Sequence, residues 1–307
     1  MKHERGVAAI TAILIVAVAA SAATLMLSQQ SAMLDQTALV AARAQADLYA
    51  RAGIDWTRGI LLQDMLGAGN SYDGLDEDWA QPMAALPVER AIVSGAITDE
   101  QGKFNLNNLV SGGNKSLPDV QAFQRLLSLL GLSPDLADAV VDWIDIDSDL
   151  SGPAGAEDPY YLSLARPYRA SNGPMVQVEE LYRVRGFDPA TVAKLKPYVT
   201  TLRDTSPTTV NVNTASDVVL MALMPDMPKT RIENFIAARR TQPIKTTDQL
   251  SAFTKPLAGG TPSSLGFKSN FFSVRIVVSQ DDVQLATDAQ LRRVNGNVAI
   301  VWRRPIY

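Results

Sequence analysis

Residues 7–27 read VAAITAILIVAVAASAATLML, an uncharged and mostly apolar run of 21 residues. As an α-helix rising about 1.5 Å per residue it spans about 30 Å, close to the hydrocarbon thickness of a bilayer. Ahead of it stands Met1-Lys-His-Glu-Arg-Gly6, a short polar leader. Its Lys2 and Arg5 hold the N-terminus on the cytoplasmic side and send the following chain across. Past Leu27 the helical period continues without a break through Ser31-Ala-Met-Leu34, Ala38-Leu-Val40, Ala46, Leu48-Tyr49 and Ile54, reaching about Met65. There is no Pro in this stretch and no Gly before Gly53. The pattern predicts one helix, half in lipid and half amphipathic.

Three readings compete for the leader and the apolar run. A secretory signal peptide ends in a small-residue cleavage site, which Ser21-Ala-Ala23 offers. A plain signal anchor gives no reason for Arg5-Gly6 to stand directly before the first apolar residue. In a type IV prepilin signal, a peptidase cuts after that Gly on the cytoplasmic face and the apolar helix is retained. The unbroken continuation of the helix favours the third. Arg5-Gly6-Val7-Ala8 followed by the apolar helix resembles the prepilin signal of type II secretion pseudopilins. The resemblance implies cleavage between Gly6 and Val7 and N-methylation of Val7. Most members carry Glu as the fifth mature residue, where this chain has Thr11. That Glu is thought to neutralise the free amine of a neighbouring subunit in lipid. A subunit at the filament tip can lack it, and the K-class minor pseudopilin is the member marked by this departure. Val210-Asn-Val-Asn-Thr-Ala215, Phe104-Asn-Leu-Asn107, Asp142-Trp-Ile-Asp-Ile-Asp147 and Gly155-Ala-Glu-Asp-Pro-Tyr-Tyr161 also resemble K-class features.

Composition narrows the chemistry. The chain of 307 residues allows two modest domains or one large one, and 47% hydrophobic with 20% charged residues describes an ordinary folded protein. A formal charge of −4 and a pI near 5.1 argue against a phosphate backbone as the main partner. The absence of cysteine excludes disulfides, thiolate metal sites and thiol nucleophiles. His3 is the one histidine, so removal of the leader takes the imidazole with it. Ser-His-Asp chemistry and His-based zinc sites then go together. Trp56, Trp79, Trp143 and Trp302 read as core or edge packing.

Residues 91–98 alternate as a strand and lead to Phe104-Asn-Leu-Asn107. From there to about Gly266 the pattern is helical and falls into two matching halves. Phe104-Asn-Leu-Asn107 answers Val210-Asn-Val-Asn213, and Leu129-Leu-Gly-Leu-Ser-Pro134 answers Leu223-Met-Pro-Asp-Met-Pro228. Helices are expected over 134–144 and 228–240. A short capped helix then begins at Val178 in one half and Thr246 in the other. The unit resembles a helix-hairpin-helix, which in many proteins brings backbone N–H groups to DNA phosphate. The second copy has no Gly at its hairpin, and with the acidic balance a structural use is favoured. Strands return at 271–279, 288–294 and 298–302, with Asn295-Gly296 as a type I′ turn between the last two.

The fold class is therefore α+β: a long N-terminal transmembrane and amphipathic helix packed on a pilin-like antiparallel sheet, with a large inserted all-α domain of two helix-hairpin-helix-like (SAM-like) repeats. The boundaries are 1–6 for the leader, 7–27 for the transmembrane half, and 28–103 for the periplasmic helix and first strands. The inserted domain takes 104–267, its repeats about 104–200 and 208–267, and the C-terminal strands 268–307.

About 25 extra residues lie in the first half between its second helix and its capped helix. They hold Asp142, Asp145, Asp147, Asp149, Glu157 and Asp158, with no Lys or Arg between them. Like charges this close repel unless something neutralises them. Carboxylates with Gly152, Pro153 and Gly155 for tight turns suit Ca²⁺. An EF-hand is excluded, since counting from Asp145 puts Leu150 at its Gly position and Ala156 at its Glu position. A solvated acidic loop is the alternative, and the K-class resemblance implies structural calcium in the inserted domain.

The resemblance implies a non-enzymatic minor pseudopilin that initiates or caps the pseudopilus in protein secretion. It implies as partners minor pseudopilins of the I and J classes, with the H class a further candidate, together with the major pseudopilin and prepilin peptidase. It places a single pass in the bacterial inner membrane, the bulk of the chain in the periplasm, and no nucleic acid. Two other classes stay open at this stage. One is a membrane-tethered DNA receptor using the helical repeats; the other is a calcium-dependent periplasmic hydrolase.

Overall fold

The computed structural model describes residues 2–67, 71–257, 260 and 262–306, with side chains from Ile10 onward. Helix α1 runs over Lys2–Leu66, one residue beyond the end read from the period. It is long and apolar enough to cross a membrane, with a window of mean hydropathy 2.4, none of it buried within the protein. Its second half turns one face to a sheet. Ala46, Ala50, Ile54, Thr57 and Leu61, three or four residues apart, are buried there. Burying Ile54 and Leu61 contributes about 1.5–3 kcal/mol each. Gly53 allows the close approach: a Cβ there would lie 3.1 Å from the Ile276 side chain.

The sheet has five antiparallel strands in spatial and chain order: β1 (Met83–Val88), β2 (Ala91–Asp99), β3 (Phe271–Gln280), β4 (Val283–Val294) and β5 (Asn297–Ile306). Val93 and Ile97 on β2 and Phe272, Val274, Ile276 and Val278 on β3 share the core with α1. Trp79 packs edge-on against Phe272 with ring centroids 5.1 Å apart. Asn295 and Gly296 both have positive φ, as the type I′ turn between β4 and β5 requires. Strand β1 precedes the first strand read from sequence and contains Pro87. Pro is admissible on an edge, where its missing N–H faces away from the ladder; Pro87 sits opposite Ile92. Strand β4 begins at Val283 rather than Asp288.

The helical block occupies residues 100–270, between two strands that are direct neighbours. Asp99 lies opposite Phe272 in the β2–β3 register. The chain thus leaves and returns at one place, and a large insertion stands where a hairpin turn would be.

Each half of the block opens and closes with a two-residue strand, and the two pair in parallel: Phe104–Asn105 with Val199–Thr200, and Val210–Asn211 with Leu265–Gly266. Asn107 donates from Nδ2 to Met175 O at 3.0 Å and accepts from Met175 N at 2.8 Å. Asn213 makes the same pair of bonds with Ile244, both at 2.8 Å. The first half holds α2 (Leu117–Leu129), α3 (Leu136–Ile144), α4 (Asp158–Leu162) and α5 (Pro189–Leu195). The second holds α6 (Asp217–Leu223), α7 (Lys229–Ala238) and α8 (Thr247–Thr254). Thr246 caps α8 as read from sequence. In the first half the corresponding element is a 3₁₀ turn, Val178–Arg183, and its cap is Gln177 in a capping box with Glu180, not Val178.

A buried polar network closes the neck of the block. Asp99 accepts from Gln101 N at 2.8 Å, Asn211 Nδ2 at 3.0 Å, Thr214 Oγ1 at 2.6 Å and Ser269 Oγ at 2.7 Å. Asp73 accepts from Ser269 N at 2.7 Å, and Arg293 on β4 pairs with both Asp73 and Asp64. The block is thereby fixed at the end of α1 remote from its apolar half.

Burial raises the Asp99 carboxyl to about 6, against the donors that pull it down. A carboxyl raised in the folded state binds its proton more tightly folded than unfolded, so its contribution to stability is full below pH 4 and is lost as pH rises through 6. Relative to Asp99→Asn, the wild type is expected to gain roughly 2–3 kcal/mol between pH 7 and pH 4. Denaturant unfolding of the full chain in detergent, at several pH values, measures this. Parallel pH profiles for the two proteins would contradict it.

Candidate metal centre

The acidic loop starts on α3, whose Ala137, Val140, Val141 and Ile144 are buried in the core of the block. Asp138, Asp142 and Asp145 recur at steps of four and three along α3 and its C-cap, so they share one stripe. Residues 145–177 separate α3 from the 3₁₀ turn, whereas residues 239–246 separate α7 from α8, which is the surplus read from sequence. Carboxylate oxygens of Asp145, Asp147 and Glu157 all lie within 4.8 Å of one another.

Three carboxylates of this segment are buried. Relative exposure is 0% for Asp142, 5% for Asp145 and 4% for Glu157. Four of their oxygens, Asp142 Oδ2, Asp145 Oδ1 and Glu157 Oε1 and Oε2, have no hydrogen-bond donor. Asp142 Oδ1 accepts from Ser151 N at 2.8 Å, and Asp147 Oδ1 from Asp149 N at 2.9 Å. At this separation two carboxylates repel by roughly 3 kcal/mol at an effective dielectric near 20. Burial and then the neighbouring carboxylates push Asp145 up to about 6 and Glu157 to about 7; Asp142 is raised mainly by burial. Buried, unpaired and mutually repelling acceptors fit a hard cation with oxygen ligands.

The nearby cations serve the loop backbone. Lys115 Nζ donates to Ser151 O at 3.1 Å and Arg185 Nη1 to Gly155 O at 2.8 Å. Gly155 has to remain small, since a Cβ there would lie 2.2 Å from Asp142 Oδ2. Beneath the loop, Trp143 packs edge-on to Tyr161 at 5.3 Å, and Tyr161 in turn against Tyr168.

Of the six residues read from sequence, Asp145, Asp147 and Glu157 come together and Asp142 lies behind them. Asp149 is exposed, apart from the three. Asp158 is engaged elsewhere, with Arg169 at 3.0 Å and Ala170 N at 3.0 Å. Asp138, missed from sequence, is buried against Gly152, whose Cβ would lie 2.1 Å from its Oδ2. Its place on the Asp142 stripe was the available signal. Thr11 is on the exposed part of α1. Gly6 and Val7 lie on the α1 backbone, their side chains outside the described residues, as is Met1 altogether.

A second acidic group, Asp64, Asp73 and Glu77, was not visible in the sequence. It contains its own cation: Arg293 pairs with the two Asp residues, and Glu77 accepts from Gly74 N and Trp79 Nε1, both at 2.9 Å. The tryptophans are less uniform than expected. Trp79 and Trp143 are buried, whereas Trp56 is half-exposed.

Residues 102–204 and 210–275 match two sequence profiles of one family, described as type II secretion system (T2SS), protein K. Type II secretion system protein K of Pseudomonas aeruginosa is 32% identical over 98% of this chain and 93% of its own length. The Aeromonas hydrophila protein of the same name is 29% identical over 99% and 97%. The Klebsiella pneumoniae one is 34% identical over 73% and 72%. Among solved structures, a chain of the GspK-GspI-GspJ complex from the enterotoxigenic Escherichia coli type 2 secretion system superposes with a TM-score of 0.71. It is 23% identical, and the match covers 86% of this chain and 96% of that one, which shows a shared fold.

Proposed function

This chain belongs to the protein K family of the type II secretion system, and from that premise we propose how a minor pseudopilin of this build works. It is a structural component, not an enzyme, and the DNA-receptor and hydrolase readings find no support among its relatives. Its place is the tip of the pseudopilus, beside I- and J-class minor pseudopilins, with the H class and the major pseudopilin as further neighbours. The observation that carries this is the position of the helical block. Through the Asp64–Arg293–Asp73 pairs and Asp99 it is fastened at the end of α1 away from the apolar half. There it stands in the way of any subunit stacked above. Thr11, in place of the usual Glu, removes the carboxylate that such a subunit's amine would need in lipid.

The apolar half of α1 anchors the chain in the inner membrane with its N-terminus cytoplasmic and the remainder periplasmic. Prepilin peptidase removes residues 1–6. The two halves of the block are copies of one helix-hairpin-helix-like unit, supported by their matching parallel strand pairs and by Asn107 and Asn213. Intact mass of the mature protein is expected to show loss of Met1 to Gly6 and a methyl group on Val7. A chain beginning after Ala23, or an uncut one, would overturn the processing scheme.

Asp145, Asp147 and Glu157, with Asp142 beside them, are the residues that would hold Ca²⁺. Bound there, the ion would neutralise the group and supply the partner that its orphan oxygens lack. Asp149 and Asp158 are the weaker candidates of the original six. Calcium is expected to raise the melting midpoint of the full chain, since a ligand that binds only the folded state stabilises it by mass action. Asp145→Ala with Asp147→Ala should abolish that rise. Glu157→Gln should invert with conditions at pH 7.5: a higher midpoint than wild type in chelator, where a buried charge has been removed, and a lower one in calcium. A wild-type midpoint indifferent to both chelator and calcium returns the segment to a solvated acidic loop.

A further inference from the structure

The loop that gathers these carboxylates also exposes two large apolar side chains. Ile146, between Asp145 and Asp147, is 73% exposed, and Leu150, beside Asp149, is 63% exposed. Ile146 is more exposed than any other large apolar residue outside α1 among the described residues; Leu117 follows at 64%. A single exposed Leu or Ile needs no explanation. Two on one short loop, beside the buried Asp145 and the exposed Asp147 and Asp149, do. Ile146 also forms the rim of a cleft of about 310 Å³, with Ile144, Val110, Gly112 and Pro174 among its lining residues. The exposed charges on the loop itself are acidic, while Lys115 is bonded to Ser151 O. Asp147 and Asp149 are exposed on the loop; at the far side of the cleft Asp204 is paired with Arg292 at 2.6 Å, and Arg203 is the cation in the lining.

We infer that Ile146 and Leu150, flanked by Asp147 and Asp149, are a docking surface for a protein partner that presents an apolar side chain bordered by Lys or Arg. The inference rests on the cation reading above, because a cation joining the buried Asp145 and Glu157 to Asp147 is what would fix the turn that leaves Ile146 outside. An apolar centre with a charged rim is the usual anatomy of a protein interface. The acidic rim selects a basic partner and disfavours an anionic lipid surface by like-charge repulsion. The cleft beside Ile146 is of a size to receive one apolar anchor residue.

The test uses the full chain in its own secretion system, reading release of a folded periplasmic cargo into the medium. The double variant Ile146→Ser with Leu150→Ser is expected to lower secretion at least tenfold, and Ile146→Leu to leave it near wild type. Asp149→Lys, which reverses the rim charge, is expected to lower it severalfold, and Asp149→Asn less. The purified Ile146 and Leu150 variants should keep the wild-type melting shift with calcium, which separates loss of docking from loss of the cation. Secretion unchanged in the double variant, with that shift intact, overturns the docking surface. So does a photo-crosslinker at position 146 that captures only lipid. A wild-type chain without any calcium shift sinks the cation reading alone, and the secretion result then decides the surface.

Discussion

Asp99 is the last residue of β2 and the first fixed point of the helical block, and its carboxylate binds both crossings between the two. From the outgoing side it receives Gln101 N; from the second half of the block, Asn211 and Thr214; from the returning side, Ser269. Asp73 and Arg293 extend the same network to the end of α1. A block of this size held only by two adjacent chain crossings would swing. Hydrogen bonds in a low-dielectric neck fix its direction instead, at the cost of burying a carboxylate that would rather be neutral. What the block does at the end of the helix depends on that fixed direction.

Two acidic groups in one chain show how identical residue types reach different ends. Asp64, Asp73 and Glu77 are drawn from α1 and the loop beyond it, and Arg293, an indole N–H and a backbone N–H answer them. Asp142, Asp145 and Glu157 are more deeply buried, yet four of their oxygens find no donor. The nearby Lys115 and Arg185 are bonded to backbone carbonyls. The first group is complete within the protein. The second leaves acceptors that the protein itself does not answer, which is the feature the proposed cation would complete.

Legibility in the sequence followed the range of the physics involved. Helix α1 was readable because its period is local and unbroken from Val7 to Met65, and the Asn295-Gly296 turn because two positive φ values at adjacent residues have few other solutions. The two halves of the block were readable from the recurring Asn-x-Asn, whose second Asn in each case clamps the backbone ahead of a short capped element. Strand β1 was not, since Pro87 argues against a strand until β2 is placed beside it. The neck was invisible, being assembled from residues 64, 73, 99, 211, 269 and 293, which no local pattern connects. Within the acidic loop, charge density marked the segment whose carboxylates cluster. It could not tell Asp145, Asp147 and Glu157 from Asp149 and Asp158, because the turns around Gly152 and Gly155 decide which carboxylates meet.

This protein K family member therefore combines a long N-terminal helix with a helical block joined to its far end through Asp99, Asp73 and Arg293. The tip position of the family suits a subunit built this way, and the proposed roles of the block and of Thr11 would both keep it there. The direct measurement is the number and position of copies on isolated pseudopili, by single-molecule counting of a label on the full chain. The account predicts one copy per filament, at one end; copies spaced along the shaft would contradict it.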